Sequence, residues 1–136
     1  MSRSGGIQRP IAVMMRPVIQ TIRPDASVAE AAKQMASAKV GALLVRDQGH
    51  DLGIVSESDL VRKVLAESLA PAQTLVRAVM STPLVTIDSA ASAHDASDLM
   101  AEAGIRHLAV VEGGEVVGIL SVRDLLHYFK NWGSQS

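Results

Sequence analysis

Two pairs of residues in this chain have the types and spacing to hold a phosphorylated sugar. Ser56 and Asp59 follow Gly53-Ile54-Val55, and Ser121 and Asp124 follow Gly118-Ile119-Leu120. A buried strand that runs straight into a helix N-terminus presents amides without intrahelical partners and the positive end of the helix dipole, a seat for phosphate. The glycines let another backbone or a flat ligand approach closely. A carboxylate one turn further on can accept hydrogen bonds from two vicinal hydroxyls, as on ribose. The spacing also has a plainer use. Ser27…Glu30 and Ser92…Asp95 share it, so all four pairs read as capping boxes, with the serine oxygen accepting from an amide and the carboxylate reaching back. Each cap is worth about 1 kcal/mol. Taken alone, Ser56 and Asp59 are caps.

The elements that must position these residues are written twice. Val13-Met14 and Pro17 recur as Val79-Met80 and Pro83, and then Ser27, Ala31, Met35 and Leu43 recur as Ser92, Ala96, Met100 and Leu108. Each copy opens on a short β-branched segment, Val18–Ile22 or Leu84–Ile87. A turn follows, Pro24-Asp25-Ala26 or Asp88-Ser89-Ala90-Ala91. Helical periodicity then places Val28, Ala31, Ala32 and Met35, or Ala96, Leu99, Met100 and Ala103, on one face. Ala42–Val45 joins Leu52–Val55 through Asp47-Gln48-Gly49-His50. Leu108–Val111 joins Val116–Leu120 through Glu112-Gly113-Gly114-Glu115, whose paired glycines suit a tight hairpin. A last helix leaves each second strand, with Leu60, Val61, Val64 and Leu65, or Leu125, Leu126 and Phe129, expected inward. Pro71 is expected to end the first of these.

The implied fold class is α+β (α/β-like). Two βαββα repeats are related by pseudo-twofold symmetry, each a small three-stranded mixed sheet packed against two helices, with two related clefts between them. Two units are too few for a stacked solenoid. The expected boundaries are a loose leader over 1–10, a first repeat over 11–70, a linker over 71–78, a second repeat over 79–130 and a tail over 131–136.

Bulk properties narrow the function. With one Trp, one Tyr and one Phe in 136 residues, the core must be aliphatic. Tyr128, Phe129 and Trp132 sit together, either to anchor the last helix or to form a subunit interface. A net charge of −1 with no basic run argues against nucleic acid as a partner. No apolar run reaches the ~18 residues of a membrane span, and no signal peptide is evident. The absence of cysteine removes disulfides, thiolate zinc sites and cysteine nucleophiles. His50, His94, His107 and His127 lack metal-ligand spacing, and the recurring methionines are simplest as core fillers. No nucleophile–base constellation is visible. A cytoplasmic, non-catalytic protein is expected.

The doubled pattern of Val-Met, Pro, helix, strand and Gly-apolar-apolar-Ser-x-x-Asp resembles a pair of cystathionine-β-synthase (CBS) domains, a Bateman module of the stand-alone bacterial type, over about residues 11–130. The resemblance implies a sensor of adenosine-containing ligands: AMP, ADP, ATP, S-adenosylmethionine or NAD(H), with AMP or ATP foremost, and no required cofactor. It also implies that two modules pair into a flat disc, here a homodimer. Carried over by position, Asp59 and Asp124 fall where the family binds ribose hydroxyls. Ser56, Ser58, Ser121 and Arg123 fall at phosphate. Val40, Ile54, Ile105 and Ile119 line adenine, and Ala26, Ala31, Ala91 and Ala96 border the same clefts. Gly41-Ala42 and Arg106-His107 are the phosphate-proximal strand starts.

The two copies are unequal. The second carries Arg106, His107 and Arg123 where the first has Gly41, Ala42 and Ser58, and the family often carries arginine where Ser58 stands. Arg62 and Lys63 read as a solvated basic turn. The Asp124 site is therefore expected to be the better nucleotide binder. The leading function is a regulatory module that signals a conformational change to a protein partner in trans. The alternative is a structural or adaptor dimer that binds no nucleotide.

Overall fold

The computed structural model describes residues 10–15 and 19–131, which divide into two compact units. The first spans Ile19–Val85 and the second joins the N-terminal segment to the chain from Thr86 onward.

In the first unit, β1 (Thr21–Ile22) is followed by α1 (Val28–Ala38), β2 (Ala42–Asp47) and β3 (His50–Ser56). The sheet order is β1-β2-β3, with β1 parallel and β3 antiparallel to β2. A crossover helix is what a parallel pair requires, and a two-residue hairpin suffices for the antiparallel one. Gln48 and Gly49 both take positive φ, +50° and +80°, as a primed hairpin turn demands. After β3 comes one turn of α2 (Glu57–Leu60), which widens into a π-helical turn over Val61–Leu65. A 3₁₀ turn (Pro71–Gln73) and α3 (Val76–Val79) complete the unit. The segment expected as a linker is bonded into it. Val28 N donates to Thr74 O at 2.8 Å, and Val76 N donates to Ala26 O at 2.9 Å. Ser81 then pairs with Ile54 as a short addition to the β3 edge.

The second unit repeats this plan with β4 (Thr86–Asp88), α4 (Ala93–Ala103), β5 (His107–Glu112), β6 (Glu115–Ser121) and α5 (Val122–Asn131), in sheet order β4-β5-β6. Its preceding segment is a 3₁₀ turn, Ile11–Val13, tied down by Ile11 N donating to Ala91 O at 3.0 Å. That bond is the counterpart of Val76 to Ala26. Fold class and element order are as the sequence predicts.

The core of the first unit gathers Ile22, Val28, Ala31, Met35, Leu43, Val45, Val55, Val64, Val76 and Val79, aliphatic throughout. Several finer expectations fail. Val61, Leu65 and Leu126 point outward, at 56%, 62% and 64% exposure, while Val64 and Leu125 are buried. Neighbouring positions on a helix diverge by about 100°, so one apolar run cannot all face the core. Ala32 and Ala103 are likewise exposed and Leu99 is half-buried. The first of the last helices ends at Leu65, well before Pro71, which opens the 3₁₀ turn instead. The opening strands are also shorter than the apolar runs, and Val18 lies outside the described residues, as do residues 1–9 and Trp132. Of the aromatic group, Tyr128 and Phe129 meet edge to face at 5.3 Å, and Phe129 also meets His94 on α4 at 5.3 Å.

Candidate functional site

Each second strand ends in a serine that caps the helix it enters. Ser56 Oγ accepts from Asp59 N at 3.3 Å, and Asp59 Oδ2 accepts from Ser56 N at 2.9 Å. Ser121 and Asp124 repeat this at 3.1 and 2.8 Å. The boxes at Ser27/Glu30 and Ser92/Asp95 also form. Antiparallel register brings the strand starts alongside, with Ala42 opposite Ser56 and His107 opposite Ser121. Glu57 N donates to Gly41 O, and Val122 N to Arg106 O, each at 2.9 Å.

Most of the expected phosphate and ribose residues are therefore brought together within each unit: Gly41, Ala42, Ser56, Ser58 and Asp59 in the first, and Arg106, His107, Ser121, Arg123 and Asp124 in the second. Ile54 and Ile119 lie two residues before the serines, buried on the same strands. Val40 and Ile105 are half-buried just ahead of the strand starts. Ala31 and Ala96 are fully buried on their helices. Ala26 and Ala91 are half-buried in turns whose carbonyls hold Val76 and Ile11. The helix starts offer fewer open amides than a bare N-terminus, because the cap and the strand-start carbonyl take most of them. Those of Ser58 and Arg123 remain open among the described residues.

The two carboxylates differ in what else they hold. Asp59 is buried at 7% exposure, and its Oδ1 accepts from Lys63 Nζ at 2.9 Å and from Ser81 Oγ at 3.4 Å. Lys63 Nζ also donates to Val79 O at 2.9 Å. Lys63 makes these two contacts while its side chain stays 46% exposed, so it keeps the solvated face that the sequence suggested. The i,i+4 spacing from Asp59 was a signal for the ion pair; nothing local pointed to Ser81. Asp124 is half-buried, and among the described residues its Oδ1 has no partner. Charge follows the same division. Glu57 lies beside Gly41, so close that a Cβ on that glycine would stand 2.9 Å from its Oε1. At the corresponding places the second unit has Val122 and an exposed Arg106, with exposed Arg123 next along.

Among the described residues, no group of three or more His, Asp or Glu could hold a metal ion. No helix there is long and apolar enough to cross a membrane.

This arrangement, a strand-to-helix serine with an aspartate one turn on, is built twice, once in each βαββα unit. The CBS domain profile matches residues 11–66 and again 76–131, and the chain belongs to that family. Its members are typically regulatory modules without catalysis. YhcV, a CBS domain-containing protein of Bacillus subtilis, is 37% identical over 111 residues, covering 82% of this chain and 79% of YhcV. CBSCBSPB2 of Arabidopsis thaliana is 37% identical over 79% of this chain, which spans only 20% of that longer protein.

Among solved structures, a candidate signal-transduction protein with CBS domains from Burkholderia ambifaria MC40-6 superposes with a TM-score of 0.82 at 30% identity, covering 94% of this chain and 97% of that one. The CBS domain protein PAE2072 of Pyrobaculum aerophilum, solved as a complex with AMP, has a TM-score of 0.75 at 26% identity, covering 90% and 99%. A CBS-CP12 protein from bloom-forming cyanobacteria with a TM-score of 0.85 and 30% identity, covering 93% and 77%, is hexameric.

Proposed function

We propose that this chain is a non-catalytic regulatory module that binds an adenosine-containing ligand at the Ser121–Asp124 junction. On this reading the ligand changes the conformation, or the self-assembly, read by a partner chain in the cytoplasm. The observation that carries the reading is the Asp124 carboxylate, with one oxygen spent on the cap and the other without a partner among the described residues, beside exposed Arg106 and Arg123. An open carboxylate oxygen suits ribose hydroxyls, and the guanidinium groups suit phosphate. The AMP held by the Pyrobaculum relative supports AMP or ATP over S-adenosylmethionine and NAD(H). Homodimerisation would cover the exposed Val61, Leu65 and Leu126.

A ligand that binds only the native state raises the unfolding midpoint. AMP and ATP are expected to do so for the parent chain and to fail with Asp124→Ala. No shift with any of the four ligand types at millimolar concentration would favour the adaptor reading. One observation supports that alternative for the first unit: the Asp59 carboxylate is already occupied.

A further inference from the structure

We infer that Lys63 is a built-in occupant of the first junction, which makes the chain a one-ligand module. The inference rests on the reading of Asp124 as a ribose acceptor and assigns the opposite state to its twin. At Asp59, the oxygen left over from the cap is held by an ammonium group at 2.9 Å and faced by a hydroxyl at 3.4 Å. An ammonium and a hydroxyl of the chain itself thus stand where the two hydroxyls of a ribose would donate.

The ammonium is the stronger donor, since charge-assisted hydrogen bonds are roughly twice as strong as neutral ones. It is also tethered twice, to Asp59 Oδ1 and to Val79 O at 2.9 Å. A sugar entering here would have to displace the ammonium from Asp59; the lysine side chain is 46% exposed, so the cost is the lost contact and not a buried charge.

The local backbone departs from α geometry at this lysine and not at its counterpart. Lys63 lies inside the π-helical turn Val61–Leu65, closed by Ala66 N donating to Val61 O at 2.9 Å. Such turns are rare and are frequently found at functional positions. In the second unit α5 runs on regularly to Asn131, with Tyr128 four residues after Asp124, where Lys63 stands after Asp59. Ser81 lies on the short segment added to the β3 edge, two residues after Val79, so the latch joins two separate stretches of the unit. Glu57 beside Gly41 works in the same direction by repelling phosphate.

The test exchanges the two positions. Bound equivalents of AMP and of adenosine are counted by native mass spectrometry and calorimetry for the parent, Lys63→Met and Tyr128→Lys; adenosine is included because Glu57 opposes phosphate. The parent is expected to bind one equivalent. Lys63→Met should gain a second adenosine, and Tyr128→Lys should weaken the first at least tenfold. A parent that binds two equivalents, or a folded Lys63→Met chain that gains none, overturns the inference. A parent that binds nothing while Lys63→Met gains one equivalent overturns the Asp124 reading and keeps the latch. Should Lys63→Met fail to fold, Tyr128→Lys decides: unchanged AMP affinity in that variant overturns the inference.

Discussion

Gly53 on β3 lies against the carbonyl oxygen of Ser81, close enough that a β-carbon at position 53 would overlap it. Ser81 exchanges backbone hydrogen bonds with the next residue, Ile54, at 2.8 and 3.1 Å, so neither strand can retreat without losing them. Gly53→Ala should therefore destabilise the chain by roughly 1–3 kcal/mol, the usual range for overpacking. Urea denaturation checks this, and an unchanged midpoint would show that the Ser81 segment yields freely.

Asp59 and Asp124 should separate stability from binding. Asp59→Ala removes a cap, worth about 1 kcal/mol, and leaves the buried Ser56 amide without its acceptor, for a total cost of about 1–3 kcal/mol. Asp124→Ala loses a similar cap but no ion pair, so it should unfold at a higher temperature than Asp59→Ala. Nucleotide binding should follow the reverse order. Paired thermal melts with and without AMP measure both effects.

Arg106 and Arg123 should matter for phosphate and not for the nucleoside. A hydrogen bond to a charged group contributes about 1.5–3 kcal/mol, so each alanine variant should weaken ATP or AMP binding by about tenfold or more. Adenosine affinity should change little. Calorimetry with the three ligands distinguishes this from a general loss of the site, in which all three would fall together.

The Asp25 carboxyl is held below the ordinary carboxylate range, chiefly by its hydrogen bond from Arg23 at 3.1 Å. A depressed folded value means that the stabilisation is present above the unfolded pKa, about 3.9, and is lost as pH falls through the folded one. Both groups are well exposed, so the effect is small. Asp25→Asn should melt slightly below the parent at pH 7, with the gap closing as pH falls below 4. A gap that widened in acid would contradict this.

Val61 and Leu65 give the proposed homodimer a location that can be tested. If their exposed side chains are covered in an assembly, Leu65→Glu should lower the measured mass toward the 14.3 kDa of one chain. Light scattering at several concentrations reads this directly, and a mass equal to the parent's would move the interface elsewhere.

The amino-acid order by itself settled whatever depends on near neighbours. The serine caps need only a partner three residues on, and the Gln48-Gly49 and Gly113-Gly114 hairpins need only local φ values. The doubled strand, helix, strand, strand, helix order follows from periodicity and from the repeat. The juxtaposition of strand starts with the serines was implied by the family resemblance alone, and hairpin register is what brings it about. Tertiary structure alone decided the difference between the two aspartates. The i,i+4 spacing of Lys63 from Asp59 was visible but the π-helical turn that carries it was not, and Ser81 arrives from 22 positions away only because its segment packs on the β3 edge. The orientation of Val61, Leu65 and Leu126 was decided in the same way, since an apolar run marks a helix but only packing chooses which side of it is covered.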